Sequence, residues 1–476
     1  MSKYIPKIGL EIHLELNTET KMFCACPNDP DELHPNINIC PICTGHPGTL
    51  PVVNKKAIEY AIKLAKALNC KINKTSYFAR KNYFYPDLPK GYQISQYELP
   101  ISENGYLEFY LDDEKKKVRI RRAHLEEDTG KIVHENNYSL IDFNRAGVPL
   151  LEIVTEPDIR SAEEAKKFVE ELILLVRYLG ISEANPEKGQ IRFEANISLG
   201  IEDELGVKVE VKNLGSIRSL KDAIEYEIKR QKEILENGGN IIQETRGFDE
   251  DKRITFSQRT KESAEDYRYF PEPDLPQLLL DEEFINSIQT PELPLDKRER
   301  FMKEYNLSLK EVNILVENKE LADFFEETIS EIKSEEIDYD IKFVYNVLAN
   351  DILGLLEKYQ KNLDDLDFSP YQFSKLLIKL KNKEINIRIL KDILNLVIER
   401  NENIDVLLGQ IRMIDEEKVR GIIEEIIREN QKAVEDYKKG KENALQFLIG
   451  ALMRKTKGQI DINTAKEILI NYIKEL

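Results

Sequence analysis

The chain has 476 residues, of which 41% are hydrophobic and 33% charged, and its formal net charge is −18. This length favours two to four domains, and this composition excludes a disordered or membrane-embedded chain. The negative charge argues against coating nucleic acid through overall charge, but it leaves room for a shaped nucleic-acid substrate held by local basic patches. No apolar run approaches the length of a bilayer span and the N-terminus has no apolar signal core, so we expect a soluble, cytoplasmic protein.

The first predicted element is a strand from Lys7 to Leu16, in which apolar and polar residues alternate strictly. A period of two indicates a strand with one face in a core. The other face carries Glu11, His13 and Glu15. Such a row is either a solvated surface or a set of ligands for a divalent cation, and the strand alone leaves both interpretations open.

Four cysteines follow in the pattern C-x-C, thirteen residues, C-P-x-C: Cys24, Cys26, Cys40 and Cys43. In a cytosolic protein such pairs more often bind zinc than form disulfides. We therefore predict a structural zinc knuckle over residues 24–43, with four reduced, unmetallated thiols as the alternative. Four sulfur ligands would close the coordination sphere, so a catalytic zinc is not expected.

Asn54 is predicted to cap a helix, and residues 79–101 follow as an ordered, extended segment rich in aromatic residues, Pro and Gly. Within this segment Lys81, Tyr85 and Lys90 combine rings with cations. That mixture suits a nucleotide pocket, with rings for a base and cations for phosphates. An irregular loop packed down by its tyrosines explains the composition equally well.

Strand patterns then recur, with two helical patterns between them. The strands are predicted at 106–111, 117–128, 139–144, 150–154, 190–199 and 207–213, and the helices at 161–179, opened by a Ser161–Glu164 capping box, and at 219–237. Strands joined mostly by turns, with helices set between them, predict an α+β fold with a mainly antiparallel sheet.

Several of these strands repeat the polar face of the first. Glu152, Glu194 and Glu210 each lie between apolar neighbours, and Glu126 shares a face with His124. Polar faces on several strands of one sheet predict a floor, acidic where metal binds and basic where phosphate binds, which fits metal-assisted phosphoryl transfer. The sequence has neither a P-loop nor a dinucleotide-binding turn, so an ATP site must be carried by the sheet face and its loops.

A series of prolines between 271 and 294 predicts a domain boundary, beyond which the chain is almost wholly helical. Helices are predicted at 297–305, 309–317, 319–333, 340–360 and 370–381. We expect three domains: a sheet cradle at 1–293, a helical domain at 294–404 and a small helical tail at 405–476. The tail carries cations close to its turns: Lys438, Lys439, Lys441, Arg454, Lys455 and Lys457. They suit an RNA contact, although a solvated charged surface is the commoner explanation.

Several long motifs resemble one family, the B subunits of the aspartyl/glutamyl-tRNA amidotransferase. They are GLEIH (9–13), the four-cysteine pattern, ARKNYFYPDLPKGYQISQ (79–96), HLEEDTGK (124–131), PLLEIV (149–154), EPDIRS (156–161), QETRGFD (243–249) and DYRYFPEPDLP (266–276). The resemblance covers the whole chain. In one departure, the family usually has Asp-Ala-Asn where this chain has Glu194-Ala195-Asn196, which makes a metal role for Glu194 less secure than one for Glu152.

The resemblance implies an ATP-dependent carbon–nitrogen ligase with glutamine as amide donor. Family members bind tRNA(Gln) or tRNA(Asn) misacylated with Glu or Asp, phosphorylate the side-chain carboxylate with ATP and Mg²⁺, and let ammonia displace the phosphate. The ammonia comes from an amidase, the A subunit, and the small C subunit makes the complex a heterotrimer. The cradle would resemble the glutamine synthetase catalytic domain, and the tail would contact the tRNA. The rival hypothesis is a non-catalytic tRNA-binding scaffold.

The resemblance also assigns roles to individual residues. Glu11, His13, Glu126 and Glu152 are expected as Mg²⁺ ligands at the catalytic centre, although His13 could instead hydrogen-bond a metal-bound water because Mg²⁺ prefers oxygen. Weaker candidates for ATP contacts are Lys81, Tyr85 and Lys90. The four cysteines are expected to bind structural Zn²⁺.

Overall fold

The computed structural model of the protein describes residues 3–202, 204–260, 266–410, 416–456 and 462–475. The chain divides into two compact units, Met1–Lys297 and Arg298–Leu476. The division between the units lies close to the predicted end of the cradle at residue 293. The further boundary between residues 404 and 405 stays a prediction.

The first unit contains the strands and the longest helices. Its strands are β1 (Tyr4–Glu15), β2 (Lys71–Ile72), β3 (Thr75–Ser76), β4 (Ala79–Asn82), β5 (Tyr92–Ser95), β6 (Ser102–Leu111), β7 (Glu114–Glu127), β8 (Lys131–His134), β9 (Ser139–Asp142), β10 (Pro149–Thr155), β11 (Ile191–Ile201), β12 (Val209–Leu214), β13 (Glu244–Asp249), β14 (Ile254–Thr260), β15 (Phe270–Pro271) and β16 (Leu278–Leu279). Its helices are α1 (Lys55–Ala67), α2 (Ala162–Leu179), α3 (Ile217–Glu236) and α4 (Glu282–Ser287).

Most of these strands form one large sheet, whose principal path runs β14-β13-β12-β11-β1-β10-β7-β5-β4-β15. Strand β6 pairs with β7 off this path, and β2 pairs with β6. Every described pairing in this sheet is antiparallel except that of β12 with β13. The predicted α+β class with a mainly antiparallel sheet is therefore confirmed.

Strand β1 lies inside this sheet, between β10 and β11. Its apolar residues Leu10, Ile12 and Leu14 are fully buried in one hydrophobic core with residues of helices α1, α2 and α3, such as Phe168 and Ala223. Because side chains alternate along a strand, the helices on the apolar face leave the polar face of β1 turned away from this core. That face carries the candidate site.

The predicted helix starts in this unit are confirmed, with one difference. Asn54 caps α1 by accepting hydrogen bonds from the backbone amides of Lys56 and Ala57. Ser161 caps α2 by accepting from the amide of Glu164. The Glu164 carboxylate accepts from the amide of Arg160, at 2.9 Å, rather than from that of Ser161, so the predicted capping box is only half formed.

The second unit is described as helical, and α5 (Pro294–Tyr305) leads into it. Its helices are α6 (Leu309–Val316), α7 (Lys319–Ser334), α8 (Ile341–Asn346), α9 (Leu353–Tyr359), α10 (Pro370–Lys381), α11 (Ile387–Arg400), α12 (Ile404–Gln410), α13 (Glu416–Glu429), α14 (Gln431–Lys438), α15 (Glu442–Lys455) and α16 (Ile462–Glu475). Apolar residues of α13 to α16 form a hydrophobic cluster of their own. No helix of the described ranges is long and apolar enough to cross a membrane.

The helix predicted at 340–360 contains a π-helical turn at Val347–Ile352, between α8 and α9. Its buried residues include Val344, Leu348, Ile352 and Leu356, spaced four apart. On a regular α-helix a spacing of four drifts by about 40° per step, because one turn takes 3.6 residues. The wider π turn offsets part of this drift and keeps the four side chains towards the core.

Candidate functional site

A row of polar side chains crosses four neighbouring strands of the main sheet. Strand pairing sets Arg192 of β11 opposite His13 of β1, His13 opposite Glu152 of β10, and Glu152 opposite His124 of β7. Directly opposed residues of antiparallel strands point to the same face. The alternation predicted for separate strands therefore combines into one polar floor.

The first group on this floor, the His13 cluster, consists of His13, Glu126 and Glu152. One potential ligand atom from each residue lies within 4.8 Å of the others. His13 Nε2 is 3.4 Å from Glu126 Oε1 and 3.7 Å from Glu152 Oε2. Two carboxylates and an imidazole suit a divalent cation, and the oxygen ligands suit Mg²⁺.

His124 stabilises the charged form of this cluster. Its Nε2 lies 3.2 Å from Glu152 Oε2, and both residues are largely shielded from solvent. Burial acts to raise the pKa of Glu152, but His124, with smaller effects from His13 and Lys81, lowers that pKa below its ordinary value. Glu152 is thus held ionised, as a metal ligand must be.

A second group, the Glu11 cluster, consists of Glu11, Glu194 and Glu210, whose ligand atoms also lie within 4.8 Å of one another. Lys212 Nζ lies 3.2 Å from Glu194 and 3.6 Å from Glu210. Burial, and then the carboxylates of Glu152 and Glu194, raise the pKa of Glu11. Three mutually repelling carboxylates with one lysine form a second place where a cation would relieve charge.

The predicted set of four metal ligands is therefore divided between two clusters. Glu11 and His13 point to the same face of β1, but two residues along a strand span roughly 7 Å. Glu11 consequently groups with Glu194 of β11 and Glu210 of β12, whereas His13 groups with Glu126 and Glu152. Glu194, given a weaker role from the sequence, lies in the Glu11 cluster.

A pocket of about 370 Å³ opens on this floor. It is lined by parts of both clusters, by cations and by the turn after β12: His13, Lys81, Tyr83, Gln93, Glu126, Asp128, Leu150, Arg192, Phe193, Glu194, Asn213, Leu214 and Gly215. Carboxylates and cations thus face one cavity, an arrangement that suits a metal-bound phosphate. A larger cavity of about 770 Å³ is lined by residues of the tail.

The three predicted ATP contacts occupy different environments. Lys81 lines the pocket and acts on the charge of Glu152. The ammonium of Lys90 forms a buried ion pair with Glu127, whose Oε1 also accepts from the Ile94 amide at 2.9 Å. Tyr85 is 59% exposed and is not among the residues that line the pocket. Of the three predicted contacts, Lys81 is the one that lines the pocket.

Asp128 is a pocket residue that the sequence did not single out. Its carboxylate is buried, accepts a hydrogen bond from Arg192 at 2.5 Å and lies 3.4 Å from Arg145 Nε. Burial, and then the Asp128 charge, raise the pKa of the neighbouring Glu15 to about 8. Two features of the sequence could have identified this pair. Asp128 directly follows β7, and Arg192 lies on the polar face of β11.

The four cysteines converge as predicted, and the potential ligand atoms of Cys24, Cys26, Cys40 and Cys43 lie within 4.8 Å of one another. All four are free thiols. Their convergence fits a tetrahedral, four-sulfur zinc site. Hydrogen bonding from Cys24 and the nearby Lys21 charge lower the pKa of Cys43 to about 5, although burial opposes them.

Lys21 is an unexpected component of this knuckle. It is fully buried, and its Nζ lies 3.8 Å from Cys43 Sγ, 2.7 Å from the carbonyl oxygen of Asn38 and 3.3 Å from that of Phe143. A buried ammonium needs compensating partners, and thiolate provides a charged one. Lys21 therefore joins the knuckle to the turn that precedes β10.

In the tail, the predicted basic residues are divided between ion pairs and open surface. All five described cations of this set are exposed. Lys439, Lys441 and Lys455 form surface ion pairs with Glu435, Asp436 and Glu429, at 3.8, 3.0 and 2.9 Å. Lys438 and Arg454 are the other two. Lys457 lies outside the described residues.

Comparison with known proteins gives two family models that match this chain. The model described as the GatB/GatE catalytic domain matches residues 6–286, and the GatB domain model matches residues 323–473. Three similar proteins, from Carboxydothermus hydrogenoformans, Thermotoga maritima and Persephonella marina, are 43%, 46% and 44% identical over 488, 481 and 479 residues. In the same order, the alignments cover 100%, 98% and 99% of this chain, and 100%, 98% and 100% of the three relatives. Each relative is named as the B subunit of aspartyl/glutamyl-tRNA(Asn/Gln) amidotransferase.

Proposed function

The chain belongs to the family of aspartyl/glutamyl-tRNA(Asn/Gln) amidotransferase B subunits, and from this premise we propose that its first unit is an ATP- and magnesium-dependent carboxylate kinase. The substrate is the side-chain carboxylate of Glu or Asp esterified to tRNA(Gln) or tRNA(Asn). The product of the complete complex is the corresponding amide, so the complex is a ligase that acts in protein biosynthesis.

One observation carries this proposal: two carboxylate clusters lie side by side on the sheet and border one pocket. The His13 cluster and the Glu194 side of the Glu11 cluster line the same cavity, together with Lys81 and Arg192. Attack of a carboxylate on ATP brings two anions together, which requires positive charge on both sides of the transferring group. Paired metal-binding groups with flanking cations meet that requirement.

The proposed reaction has two steps, phosphorylation of the carboxylate and then amidation. A carboxylate oxygen attacks the γ-phosphorus of ATP, the bond from that phosphorus to the bridging oxygen of the β-phosphate breaks, and ADP leaves. Ammonia then attacks the carbonyl carbon of the acyl phosphate, the carbon–oxygen bond to phosphate breaks, and the added nitrogen loses a proton. In this proposal Lys81 and Arg192 neutralise phosphate oxygens, and Gln93 adds an amide donor to the pocket wall.

The donor sets fit the expected metals. Carboxylates of both clusters would hold Mg²⁺, with His13 as a ligand or as the hydrogen-bond partner of a bound water. Bound Mg²⁺ supplies charge neutralisation at the phosphate oxygens. Zn²⁺ would be held by the four cysteines with no open position, which makes it a structural ion.

The same premise defines the partners. We propose a heterotrimer in which an amidase, the A subunit, supplies ammonia and a small protein, the C subunit, is the third member, working in the cytoplasm on charged tRNA. The tail, at residues 405–476, is proposed to contact the tRNA through exposed cations such as Lys438 and Arg454.

Three single variants in a reconstituted complex test the kinase proposal: Glu11→Ala, Glu126→Ala and Glu152→Ala. Each is expected to reduce tRNA-dependent ATP cleavage by on the order of 100-fold while glutamine hydrolysis by the partner continues. The matched control is Glu114→Ala, because Glu114 pairs with Lys116 at an exposed hairpin end. Normal ATP cleavage in all three variants would instead support a non-catalytic tRNA-binding scaffold.

A further inference from the structure

Four tyrosines form a continuous row beside the pocket, the tyrosine row: Tyr83, Tyr267, Tyr269 and Tyr97. Ring centroids are 6.1 Å apart between Tyr83 and Tyr267 and 6.1 Å between Tyr267 and Tyr269, both in edge-to-face contact. The row ends in a parallel stack, where the rings of Tyr97 and Tyr269 are 4.1 Å apart and inclined by only 8°. A parallel stack presents a flat aromatic face at its end.

Hydrogen bonds fix the backbone on the Tyr97 side of this stack. Gln96 is fully buried, accepts from the Leu125 amide at 3.0 Å and donates to Ser76 Oγ at 2.7 Å. Arg122 donates to the carbonyl oxygens of Gln96 and Tyr97, each at 2.8 Å. Tyr97 nevertheless remains 48% exposed. Tyr97 is thus partly accessible on a backbone that these hydrogen bonds hold in place, with the Arg122 guanidinium 5.8 Å from the centroid of its ring.

The Tyr269 side is fixed from strand β4. The Asn82 side chain donates to the carbonyl oxygens of Tyr267, at 3.2 Å, and Arg268, at 2.8 Å. Arg268 has a φ of +46°, in the left-handed region that non-glycine residues rarely occupy. Arg268 lies between Tyr267 and Tyr269, whose rings are in contact. A strained conformation of this kind is maintained only where surrounding bonds enforce it, and here the Asn82 hydrogen bonds do so.

The tyrosine row starts at the candidate catalytic pocket. Tyr83 and Lys81 line that pocket, and Lys81 Nζ lies 5.0 Å from the centroid of the Tyr267 ring. Burial, and then the carboxylates of Glu126 and Glu152, raise the pKa of Tyr269. The row therefore leads from the His13 cluster to an exposed ring.

We propose that the Tyr97–Tyr269 stack is a platform for the adenine base of the 3′-terminal adenosine of the aminoacyl-tRNA. Proteins hold unpaired bases by stacking them on aromatic side chains, because every base has a π face. The amino acid is esterified to this adenosine, so its base is covalently connected to the reacting carboxylate and lies within one aminoacyl-nucleoside length of it. This inference rests on the proposed function, which brings that carboxylate to the pocket on the sheet.

ATP also contains adenine, and we choose between the two sources from the order of strands. One side of the sheet carries the Glu11 cluster, with Lys212, on β12, β11 and β1. The His13 cluster follows on β1, β10 and β7, and Tyr97 comes just after β5. In phosphoryl transfer the nucleophile and the leaving group lie on opposite sides of the phosphorus. In this proposal the leaving ADP lies on the side of the Glu11 cluster and Lys212, so that the attacking carboxylate and its adenosine enter from the tyrosine row. The opposite placement would bring the adenine of ATP to the stack, and the binding test distinguishes the two.

Binding of two RNAs to the reconstituted complex tests this assignment: a tRNA transcript that ends in CCA and the same transcript without the terminal adenosine. In the natural protein, truncation is expected to weaken binding roughly tenfold, the usual effect of one stacked base. Tyr97→Ala is expected to weaken binding of the complete tRNA to the same extent and to abolish the effect of truncation. Tyr97→Phe, which retains the ring, should behave as the natural protein does.

Two controls separate the outcomes. Tyr138→Ala removes another exposed tyrosine, on the β8–β9 hairpin, and should leave both affinities unchanged. Binding of a non-hydrolysable ATP analogue should be unaffected by Tyr97→Ala. Tyr97→Leu keeps apolar volume beside Tyr269 without an aromatic face and serves if the alanine variant loses its fold, as judged by thermal unfolding.

Two results would overturn the proposal. One is an undiminished effect of truncation in Tyr97→Ala, and the other is a loss of ATP-analogue affinity with unchanged tRNA binding. The second result would assign the platform to ATP. Because these measurements involve no phosphoryl transfer, failure of the proposed kinase chemistry would show separately, as absence of tRNA-dependent ATP cleavage in the natural complex.

Discussion

Glu11 and His13 lie two residues apart on the same face of one strand, yet they belong to different carboxylate clusters. Strand β1 therefore contributes one residue to each of two adjacent candidate cation sites. The pairing partners of β1 divide the row: Glu194 on β11 faces Glu11, and Glu152 on β10 faces His13.

We predict two separable cation sites, with Mn²⁺ as the probe. The natural protein should bind two ions, and Glu152→Gln and Glu11→Gln should each lose a different one, because each variant removes a ligand from one cluster only. Titration followed by electron paramagnetic resonance counts the bound ions. The double variant should lose both. A single site lost equally in either single variant would contradict the division.

We predict that Lys21→Met weakens zinc retention by about 10-fold or more, within the range typical of residues that support metal ligands. The variant keeps the length and apolar stem of the side chain but removes the ammonium 3.8 Å from Cys43 Sγ. Release of zinc to a chromophoric chelator measures the effect. Lys71→Met is the control, because Lys71 forms a surface ion pair with Glu103, outside the knuckle. Identical release curves for the two variants would remove Lys21 from the knuckle.

We predict that Arg80→Ala lowers the free energy of unfolding of the first unit by about 3 kcal/mol, because it leaves a buried carboxylate unpaired. Arg80 forms two hydrogen bonds with Glu272, at 2.6 and 2.8 Å, and its guanidinium lies 4.2 Å from the centroid of the Tyr92 ring. Denaturant unfolding measures the change. Arg119→Ala breaks a comparable but exposed pair with Asp158 and should cost less than about 1 kcal/mol. Equal losses would show that burial of Glu272 is unimportant.

We predict that Lys438→Gln combined with Arg454→Gln weakens tRNA binding. The slope of the logarithm of the binding constant against the logarithm of salt concentration should become shallower by about one unit for each phosphate contact that the substitutions remove. Both residues are exposed on the tail. Affinities measured over a series of salt concentrations give the slope. Lys115→Gln combined with Lys117→Gln, on the first unit, serves as a matched control of charge, since both of these lysines lie beside Glu108. Unchanged slopes in the tail variant would remove these residues from the RNA contact.

The alternation in β1 predicted both its buried face and its polar face, because a strand has only two faces. The alternation does not predict the register, that is, which residues of the neighbouring strands pair with those of β1. The division of Glu11 from His13 depends on which residues of β10 and β11 lie opposite, and those partners are more than 130 residues distant in the chain. Local pattern alone carries no information on such pairings.

Two further features had no clear sequence signal. In the sequence, Lys21 is indistinguishable from an ordinary surface lysine, because lysine is rarely fully buried. Its burial becomes visible only in the folded protein, where the cysteines and the turn at Phe143 enclose it. The tyrosine row joins residues from 83, 97, 267 and 269, and its stack forms only when β15 pairs with β4. Composition predicted aromatic rings near a nucleotide, but not which rings would meet.

The position of β1 inside the sheet has a consequence for synthesis of the chain. β1 is synthesised before its neighbours β10 and β11, which follow only after Pro149 and Ile191 have been added. At ordinary elongation rates of about 5–20 residues per second, the strand waits roughly 10 s or longer with both edges unpaired. Charged side chains on an exposed strand oppose edge-to-edge association between nascent chains. Glu11 and Glu15 thus place charge on the unpaired strand, and Glu11 later joins a carboxylate cluster beside the candidate pocket.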